Sequence, residues 1–510
     1  MQGSSKANRT LLDAAAFCSH LLEPGSVQAF LAEHRSRLFT DEMFADLFPS
    51  GRGRPSVPAD VVASVMVLQS LYSLSDRDAC RALRTDISWK VACGLPLDDE
   101  GFHPTVLVLW RNKLRASDRP ERIFEAVREV VASCGVLSRK NARALDSTVL
   151  EDAVARQDTI TLIQSQIRRV RALVPLLGEK VYVREHNLGP GRPPCDFDDR
   201  GDVDRVISEL VEDANELVFS VERLGLTLTE AEEEAVALLA LVAGQDVEPG
   251  ECPGTWKIAE RTAPDRVIST VDPESRHAHK TQHSYRDGYK AHVAAEPETG
   301  IITATNLSAG NVSDSQHAVS LLEEEPEGTV VFADAAYGSG EVRSDLEAAG
   351  FNTVIKPAPL RAAVEGGYTI DDFTISTDEK TITCPAGVTV TITSKRRARF
   401  AKHCQSCPLR RRCTRSKAGR TIVFHEHHDV LQEARRHAMT DGFKEAYRST
   451  RPMIERTIAW LVYGGSRRLR YRGSEKNRIW LTVRAAAINL KRLVNLGLAH
   501  DGTSWVMSSA

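Results

Sequence analysis

The chain has 510 residues, of which 42% are hydrophobic, so it can bury at least one large core and is expected to divide into two or three domains. No apolar run approaches the length of a membrane span, and the amino terminus lacks a basic segment followed by an apolar one. Ten cysteines are too few for a disulfide framework in a chain of this length. Together these features disfavour membrane and secreted proteins, and we expect a cytoplasmic protein.

The net charge of −3 hides a strong separation of charge along the chain. Lys and Arg outnumber Asp and Glu by 26 to 7 between residues 395 and 492, whereas acids outnumber bases by 18 to 4 between residues 195 and 260. A local surplus of cations is what a phosphate-binding surface requires. We therefore expect the carboxy-terminal part to face nucleic acid and the acidic segment to avoid it.

Residues 1–130 are predicted to form a helical amino-terminal domain. Pro58 is suited to the start of one helix, Ser75 is suited to cap the next, and a third is expected to begin after Thr85 or Asp86. This spacing resembles a helix-turn-helix and favours DNA binding, although a helical dimerisation module is the alternative because such shapes are common outside DNA binding. A fourth helix carries the residues of this region that we predict to contact DNA, Arg111 and Lys113.

Residues 140–495 alternate predicted strands and helices, which is typical of an α/β core with a mixed sheet. The segment ARALDSTVL predicts a strand with Asp146 near its end, and TVVFADAAYGSGE predicts a buried strand that ends on Asp334. Between them, DGYKAHVAAEP and GIITATNLSAG predict a β-hairpin, followed by a helix that contains Ala318 and Leu322.

Two segments interrupt this core. Residues 150–265 are predicted to form an acidic helical insertion with a structural or protein-binding role. Residues 360–428 are strand-rich and carry several cysteines, and helices are expected from about residue 429 onwards. The core is therefore predicted to be assembled from pieces that lie far apart in the sequence.

Three acids stand where a phosphoryl-transfer site could form. Such chemistry needs about three carboxylates that converge on two Mg²⁺ ions about 3.5 to 4 Å apart. Asp146 and Asp334 lie at the ends of two predicted strands, and Glu455 lies in a basic helix. Arg448 and Arg451 are on the same side of this helix, and we predict that they bind DNA phosphates. Each acid alone is more often a cap or half of a surface ion pair, so their order along the chain carries the hypothesis.

The blocks LDSTVL, GYKAHV, NVSDSQ, ADAAYGSGE and YRSTRPMIERTIAWL, in this order, resemble those of bacterial insertion-sequence DDE transposases. The resemblance covers roughly residues 25–495 and includes a region similar to the InsH-type amino-terminal domain. It implies an RNase H-like core in which Asp146, Asp334 and Glu455 are the catalytic ligands of two Mg²⁺ or Mn²⁺ ions.

The resemblance also implies what the chain binds and does. It implies binding of double-stranded DNA, both the terminal inverted repeats of the element and the target, with cleavage and strand transfer by a homodimer or a larger synaptic complex. Such a protein would be associated with the nucleoid when bound to DNA. The alternatives are a metal-dependent nuclease that cleaves without joining and a DNA-binding protein, descended from a transposase, that has lost catalysis.

Two positions depart from the family pattern. Many relatives carry a tyrosine three residues before the arginine that precedes the glutamate, but Arg448 stands there, one residue after Tyr447. The relatives' lysine seven residues after the glutamate is replaced by Val462. These departures affect the expected grip on the transposon end and leave the three acids unchanged.

A cysteine pattern marks the second interruption. Cys384 opens CPAG, and Cys404, Cys407 and Cys413 form C-x2-C-x5-C. Four thiols with one C-x2-C pair predict a structural tetrahedral zinc site, and an iron–sulfur cluster or free thiols are the alternatives. A bound metal would fix a basic surface that we predict to contact DNA, formed by Arg410, Arg411 and Arg412.

Overall fold

The structure, a computed structural model, describes residues 1–5, 12–281, 284–376, 378 and 380–508, except the side chains at 279–281 and 284. It is a mixed α/β protein. Part of the amino-terminal segment considered above, residues 6–11, lies outside the described residues. Over the described ranges, no helix is both long enough and apolar enough to cross a membrane.

The amino-terminal part of the chain is helical. Its α-helices are α1 Ala14–Cys18, α2 Val27–Leu38, α3 Ala59–Leu71, α4 Asp76–Thr85, α5 Ile87–Cys93, α6 Thr105–Arg115 and α7 Arg122–Ser133, with 3-10 helices at Ser19–Leu21 and Glu42–Leu47. The predicted helix starts are confirmed: α3 begins directly after Pro58, and the Ser75 hydroxyl accepts a hydrogen bond from the Asp78 N–H at 3.1 Å. The Asp86 carboxylate accepts one from the Ser88 N–H at 2.8 Å, as expected of a cap.

A mixed sheet forms the centre of the molecule. The strands up to residue 355 are β1 Ala142–Glu151, β2 Val247–Pro249, β3 Trp256–Ile258, β4 Arg276–Thr281, β5 Ser284–Ala295, β6 Ile302–Ala309, β7 Val330–Ala333 and β8 Asn352–Ile355. The main sheet has the order β4-β5-β1-β7-β8, and β6 also pairs with β5. Strand β1 is antiparallel to β5 and parallel to β7, so the predicted mixed sheet is confirmed. The predicted hairpin is also confirmed, as β5 and β6.

Two sequence predictions around this sheet are wrong. Strand β1 does not end near Asp146 but continues to Glu151, because β5 supplies backbone partners as far as the Glu151–Gly288 pair. The helix expected around Ala318 and Leu322 is instead a pair of 3-10 turns, at Asp314–His317 and Ser320–Leu322. The stretch is short and is followed by Pro326, which disfavours helical conformation in the residue before it. Single turns still bury Ala318 and Leu322 against the sheet.

The acidic segment between β1 and β5 forms a helical unit with a hydrophobic core of its own. Its helices are α8 Thr159–Leu173, α9 Pro175–Lys180, α10 Glu185–Leu188, α11 Arg200–Arg223 and α12 Glu230–Gly244. The apolar positions that predicted α8, such as Ile163 and Ile167, are fully buried in this core. The acidic side chains lie mostly on the outside of α11 and α12.

Helix α13 Gly340–Ala348 connects β7 to β8, and a strand-rich unit follows. It contains β9 Thr374–Ser376, β10 Thr381–Thr383, β11 Thr389–Thr391, β12 Arg397–Arg399, α14 Arg410–Cys413 and β13 Thr421–Val423, with 3-10 helices at Ile370–Asp372 and Ala401–Cys404. The strands pair as β11-β10-β9 and β12-β13. This unit has a small core of its own around Phe373 and Phe400.

The carboxy-terminal helices complete the main core. They are α15 His428–Ala438, α16 Asp441–Val462 and α17 Ser474–Asn495. A 3-10 turn at Tyr463–Gly465 lies between α16 and α17, and the hairpin of β14 Leu498–His500 and β15 Trp505–Met507 follows α17. Helix α17 packs against α3, α7 and β6, and one continuous apolar core includes the amino-terminal helices, one face of the main sheet, α16 and α17. The boundary expected between residues 1–130 and 140–495 stays a prediction, and the two parts share this core.

Candidate active site

Asp146 on β1 and Asp334 after β7 have equivalent positions relative to the parallel pairing of the two strands. The parallel register ends at the pair Ala144–Phe332, so each acid lies two residues beyond this last pair. Asp334 directly follows β7, and its Oδ1 accepts a hydrogen bond from the Ala336 N–H at 2.9 Å. Although β1 does not end at Asp146, its pairing with β7 ends two residues before it, and the charges of the two acids act on each other there.

Helix α16 carries the third acid across this opening. It packs against β1, and its residues Thr450 and Ile454 are buried at the contact with Ala144 and Phe332. Glu455 follows Ile454 on the helix and keeps a side chain that is 62% exposed. Glu455 therefore stands at the rim of the site, whereas Asp146, with a side chain only 13% exposed, lies at its base.

Arg451 connects the first and third acids. Its Nη2 lies 3.2 Å from Asp146 Oδ2, and its Nε donates a hydrogen bond to Glu455 Oε1 at 3.0 Å. The Asp334 charge acts on the same guanidinium, raising the pKa of Arg451 in the same sense as the other acids. Arg448, one turn earlier on α16, is exposed. Arg451 thus contacts Asp146 and Glu455 and feels the charge of Asp334, although the three acids are separated by 188 and 121 residues in the sequence.

The carboxylates oppose one another electrostatically. Burial raises the pKa of Asp146 from 3.8 to about 6, and the charges of Asp334 and Asp314 act in the same direction, while Arg451 opposes the rise. Packing negative charges into a partly buried site is unfavourable without a compensating cation. The site therefore favours a bound positive charge, which in this arrangement is the Arg451 guanidinium.

The donor set suits a hard divalent cation. Carboxylate oxygens are the ligands that Mg²⁺ and Mn²⁺ prefer. Within the described part of the chain, no group of three or more His, Cys, Asp or Glu side chains is already arranged as a metal site. Since Arg451 lies between Asp146 and Glu455, a metal ion held by both acids would take the place of its guanidinium.

Three further residues beside the acids were not singled out from the sequence. The 3-10 turn that begins at Asp314 packs against the turn that follows Asp334, and Lys290 Nζ lies 2.9 Å from Asp314 Oδ1. Tyr337 is fully buried, and the charges of the acids add to the effect of burial in raising its pKa. The blocks NVSDSQ, GYKAHV and ADAAYGSGE contain these residues, but spacing along the chain gives none of them a role.

Tyr447 also reaches the acidic cluster. It is half-buried, its pKa is raised mainly by burial, and the charges of Asp334, Asp146 and Glu455 act in the same direction. The tyrosine therefore lies beside the three acids although it stands one position earlier than in many relatives. This position could not be judged from the sequence, because it depends on how α16 packs.

The basic residues predicted to contact DNA differ in how far they are available. Arg111 forms an ion pair with Asp76 and its side chain is 13% exposed, and Lys113 donates a hydrogen bond to the Leu47 carbonyl at 2.7 Å. Both therefore hold the amino-terminal helices together, and neither belongs to the DNA-binding surface that we propose. Arg410 is half-buried, with its guanidinium near the carbonyls of Ser416 and Lys417 at 3.3 and 3.2 Å. The exposed members of the predicted set are Arg411, Arg412 and Arg448.

The four cysteines of the predicted zinc site lie together. Cys384, Cys404, Cys407 and Cys413 line one small cavity in the strand-rich unit. This cavity is separate from the three acids, which belong to the main sheet and α16. The oxygen-bearing side chains of the candidate active site and the sulfur-bearing side chains of this cavity thus lie in different parts of the fold.

Comparison with known families assigns both ends of the chain. Residues 24–113 match a family described as a transposase domain (DUF772), and residues 383–494 match one described as a transposase DDE domain. The second match includes Glu455 and the four cysteines, whereas Asp146 and Asp334 lie outside both matched ranges. Neither a curated protein nor a solved structure matches the chain. A DDE domain implies an RNase H-like core, which agrees with the mixed α/β architecture, and the two matched transposase domains are consistent with an insertion-sequence DDE transposase family.

Proposed function

We propose that this transposase cleaves DNA at the ends of its own element and joins them to target DNA, with Asp146, Asp334 and Glu455 holding the divalent ions that the reaction needs. The observation that carries the proposal is the meeting of these three acids around Arg451. Acids that come from a strand, a strand end and a helix, far apart in sequence, are brought together here with no evident structural need. Such convergence is typical of catalytic sites.

The position of each residue suits it to a different role. Two Mg²⁺ or Mn²⁺ ions, when bound, would activate the attacking water or 3′ hydroxyl and neutralise charge on the phosphate. Asp146 and Asp334 are held by the sheet and supply rigid ligands, and Glu455 closes the site from α16. Arg451, released from the acids, would bind a DNA phosphate together with Arg448. No covalent bond between protein and DNA is needed.

Double-stranded DNA is the proposed partner, as terminal inverted repeats and as target. Exposed basic residues of the strand-rich unit, of the segment before α17 and of the first turn of α17 would bind its phosphates: Arg411, Arg412, Arg415, Arg468, Arg472 and Lys476. Binding should weaken steeply as salt rises, because each phosphate contact releases counterions. Since two ends of the element must be brought together, we propose a homodimer or a larger assembly as the active form.

The test is cleavage and joining of labelled duplexes that carry the ends of the encoding element, with Mg²⁺ or Mn²⁺ and without. The variant is Asp334→Asn, and the matched control is Asp345→Asn, an exposed acid on α13. We expect joining by the intact protein and the control, and loss of joining by about a thousandfold or more in Asp334→Asn.

Each other outcome supports a different function. Cleavage without joining would favour a nuclease, and specific binding without chemistry would favour a DNA-binding protein that has lost catalysis. Cleavage that is unaffected by Asp334→Asn would show that the proposed site is wrong.

A further inference from the structure

The hydrophobic core of the strand-rich unit is too small, by itself, to explain why the unit is folded. Its buried apolar side chains are few, namely Phe373, Ile382, Ala398, Phe400 and Ile422. Each of its strands is three residues long. Units of this size usually need disulfides, a metal ion or a partner, because the apolar surface they bury barely offsets the loss of chain entropy. Cys384, Cys404 and Cys413 also belong to this core, and neither they nor Cys407 are in a disulfide.

The thiols come from different parts of the unit and meet at one cavity. Cys384 follows β10, Cys404 ends a 3-10 helix, Cys407 lies in the next turn and Cys413 ends α14. All four line the same cavity, together with apolar side chains such as Phe400 and Leu409. Cys404 and Cys413 are buried, and Cys384 and Cys407 are half-buried. Sulfur donors thus converge from four separate turns in a protected site.

Backbone N–H groups contact Cys404 and Cys384, and the one at Cys404 reaches its sulfur. The Arg420 N–H donates a hydrogen bond to Cys404 Sγ at 3.3 Å. Gly419, with a φ of +90°, makes this approach possible, because a Cβ there would lie 3.0 Å from the Ala401 backbone and 3.1 Å from the Cys404 Cβ. At the β10–β11 turn, the Gly387 N–H donates to the Cys384 carbonyl at 2.8 Å. An N–H aimed at sulfur stabilises a thiolate more than a neutral thiol.

We propose that Cys384, Cys404, Cys407 and Cys413 bind one Zn²⁺ as thiolates and that this ion holds the strand-rich unit together. Zinc favours four sulfur ligands in a tetrahedral arrangement at about 2.3 Å, and the four thiols release their protons to solvent when it binds. No three such side chains among the described residues already have metal-site geometry, so binding would require the thiols to change rotamer. The ion then fixes the short helix α14 and, with it, the exposed Arg411 and Arg412.

The zinc content of the full-length protein tests this proposal. We expect about one zinc per chain, falling below about a tenth of that in Cys384→Ser and Cys407→Ser. Two matched controls should keep their zinc: Cys252→Ser, an exposed cysteine outside the unit, and His403→Ala, an exposed side chain at the edge of the same cavity. Asp334→Asn should also keep it, so that this result and the test of catalysis are independent.

A second measurement keeps the proposal testable if a cysteine variant fails to fold. The unmodified protein, with its zinc exchanged for Co²⁺, should show the intense visible bands of tetrahedral cobalt and the near-ultraviolet bands of cobalt–thiolate bonds. Protein that contains iron and sulfide, or no metal, would overturn the proposal. Full zinc content in both cysteine variants would overturn it as well.

Discussion

At the scale of single residues, the candidate site places charged carboxylates close together, which lowers the free energy of unfolding locally. Asp146 is nearly buried beside Asp334, and Arg451 and the Ser147 N–H stabilise its charged form. A carboxylate that is harder to ionise in the folded chain than in the unfolded chain destabilises the fold wherever it is ionised. Active sites commonly tolerate such costs, because the arrangement that destabilises the free protein is the one that binds the ion.

The first prediction concerns Asp146→Asn in buffer without added divalent ions. The folded pKa is about 6 and the ordinary value is 3.8, so the folded chain keeps its proton over this range while the unfolded chain loses it. Stability therefore falls as the pH rises from about 4 to 6, and the cost is fully present above pH 6. At pH 7.5 the variant should be more stable than the unmodified protein, by about 1 to 3 kcal/mol in the free energy of unfolding.

Thermal unfolding of the two proteins between pH 4 and pH 8 checks this prediction. The gap between their melting temperatures should close toward pH 4. A variant that is less stable at pH 7.5, or a gap that does not change with pH, would contradict the burial argument.

At the scale of elements, the position of each acid depends on strand pairing and helix packing. Strand β1 can extend past Asp146 only because β5 pairs with it as far as Gly288. This glycine has a φ of +145°, and a Cβ there would lie 2.1 Å from the Leu150 carbonyl oxygen. The backbones of β1 and β5 thus approach at a point that no other residue fits, a few residues from Asp146.

The second prediction is that Gly288→Ala destabilises the protein by about 2 kcal/mol or more, because β5 must move away from β1. Gly328→Ala is the matched control, since Gly328 has a φ of +82° but no atom within 4 Å of the added Cβ. It should cost only about 1 kcal/mol, from backbone conformation alone. Urea denaturation of both variants compares the two costs, and equal losses would show that the close approach is not important.

The sequence predicted those elements that local patterns determine. The apolar run before Asp334 predicts β7, and alternation with a turn predicts the β5–β6 hairpin, because both signals lie within a few residues. The continuation of β1 beyond Asp146 was missed, because it depends on a partner strand more than 130 residues away in sequence. The order of the sequence blocks predicts the three acids. The contacts of Arg451 and the proximity of Asp314 depend on tertiary packing, so spacing along the chain does not predict them.

At the scale of the whole molecule, Arg484 joins parts that are far apart in the chain. It is 2% exposed on α17, and it donates hydrogen bonds to Ser70 at the end of α3 and to Trp460 and Leu461 at the end of α16. Helix ends of this kind carry unpaired carbonyls and partial negative charge, which the guanidinium satisfies. Burial lowers the pKa of Arg484 to about 10, so it stays charged at neutral pH. One side chain thus links the amino-terminal helices to the helix that bears Glu455.

The third prediction is that Arg484→Met lowers the free energy of unfolding by about 3 to 5 kcal/mol, because the carbonyls at both helix ends lose their donor. Arg456→Met, at an exposed position of α16, is the matched control and should change stability by less than about 0.5 kcal/mol. Calorimetry of both variants makes the comparison. A small effect of Arg484→Met would show that the amino-terminal helices are held by apolar contacts alone.

The central claim is that Asp146, Asp334 and Glu455 bind the catalytic metal ions, and a change of metal preference tests it most directly. Replacing Asp334 with cysteine (Asp334→Cys) offers a soft sulfur ligand, which Mg²⁺ binds poorly and Mn²⁺ tolerates better. Strand joining by this variant should fall at least about a hundredfold in Mg²⁺ and recover in part in Mn²⁺, whereas the unmodified protein works in both. Equal activity of the variant in the two metals, or activity as high as that of the unmodified protein in Mg²⁺, would contradict the claim.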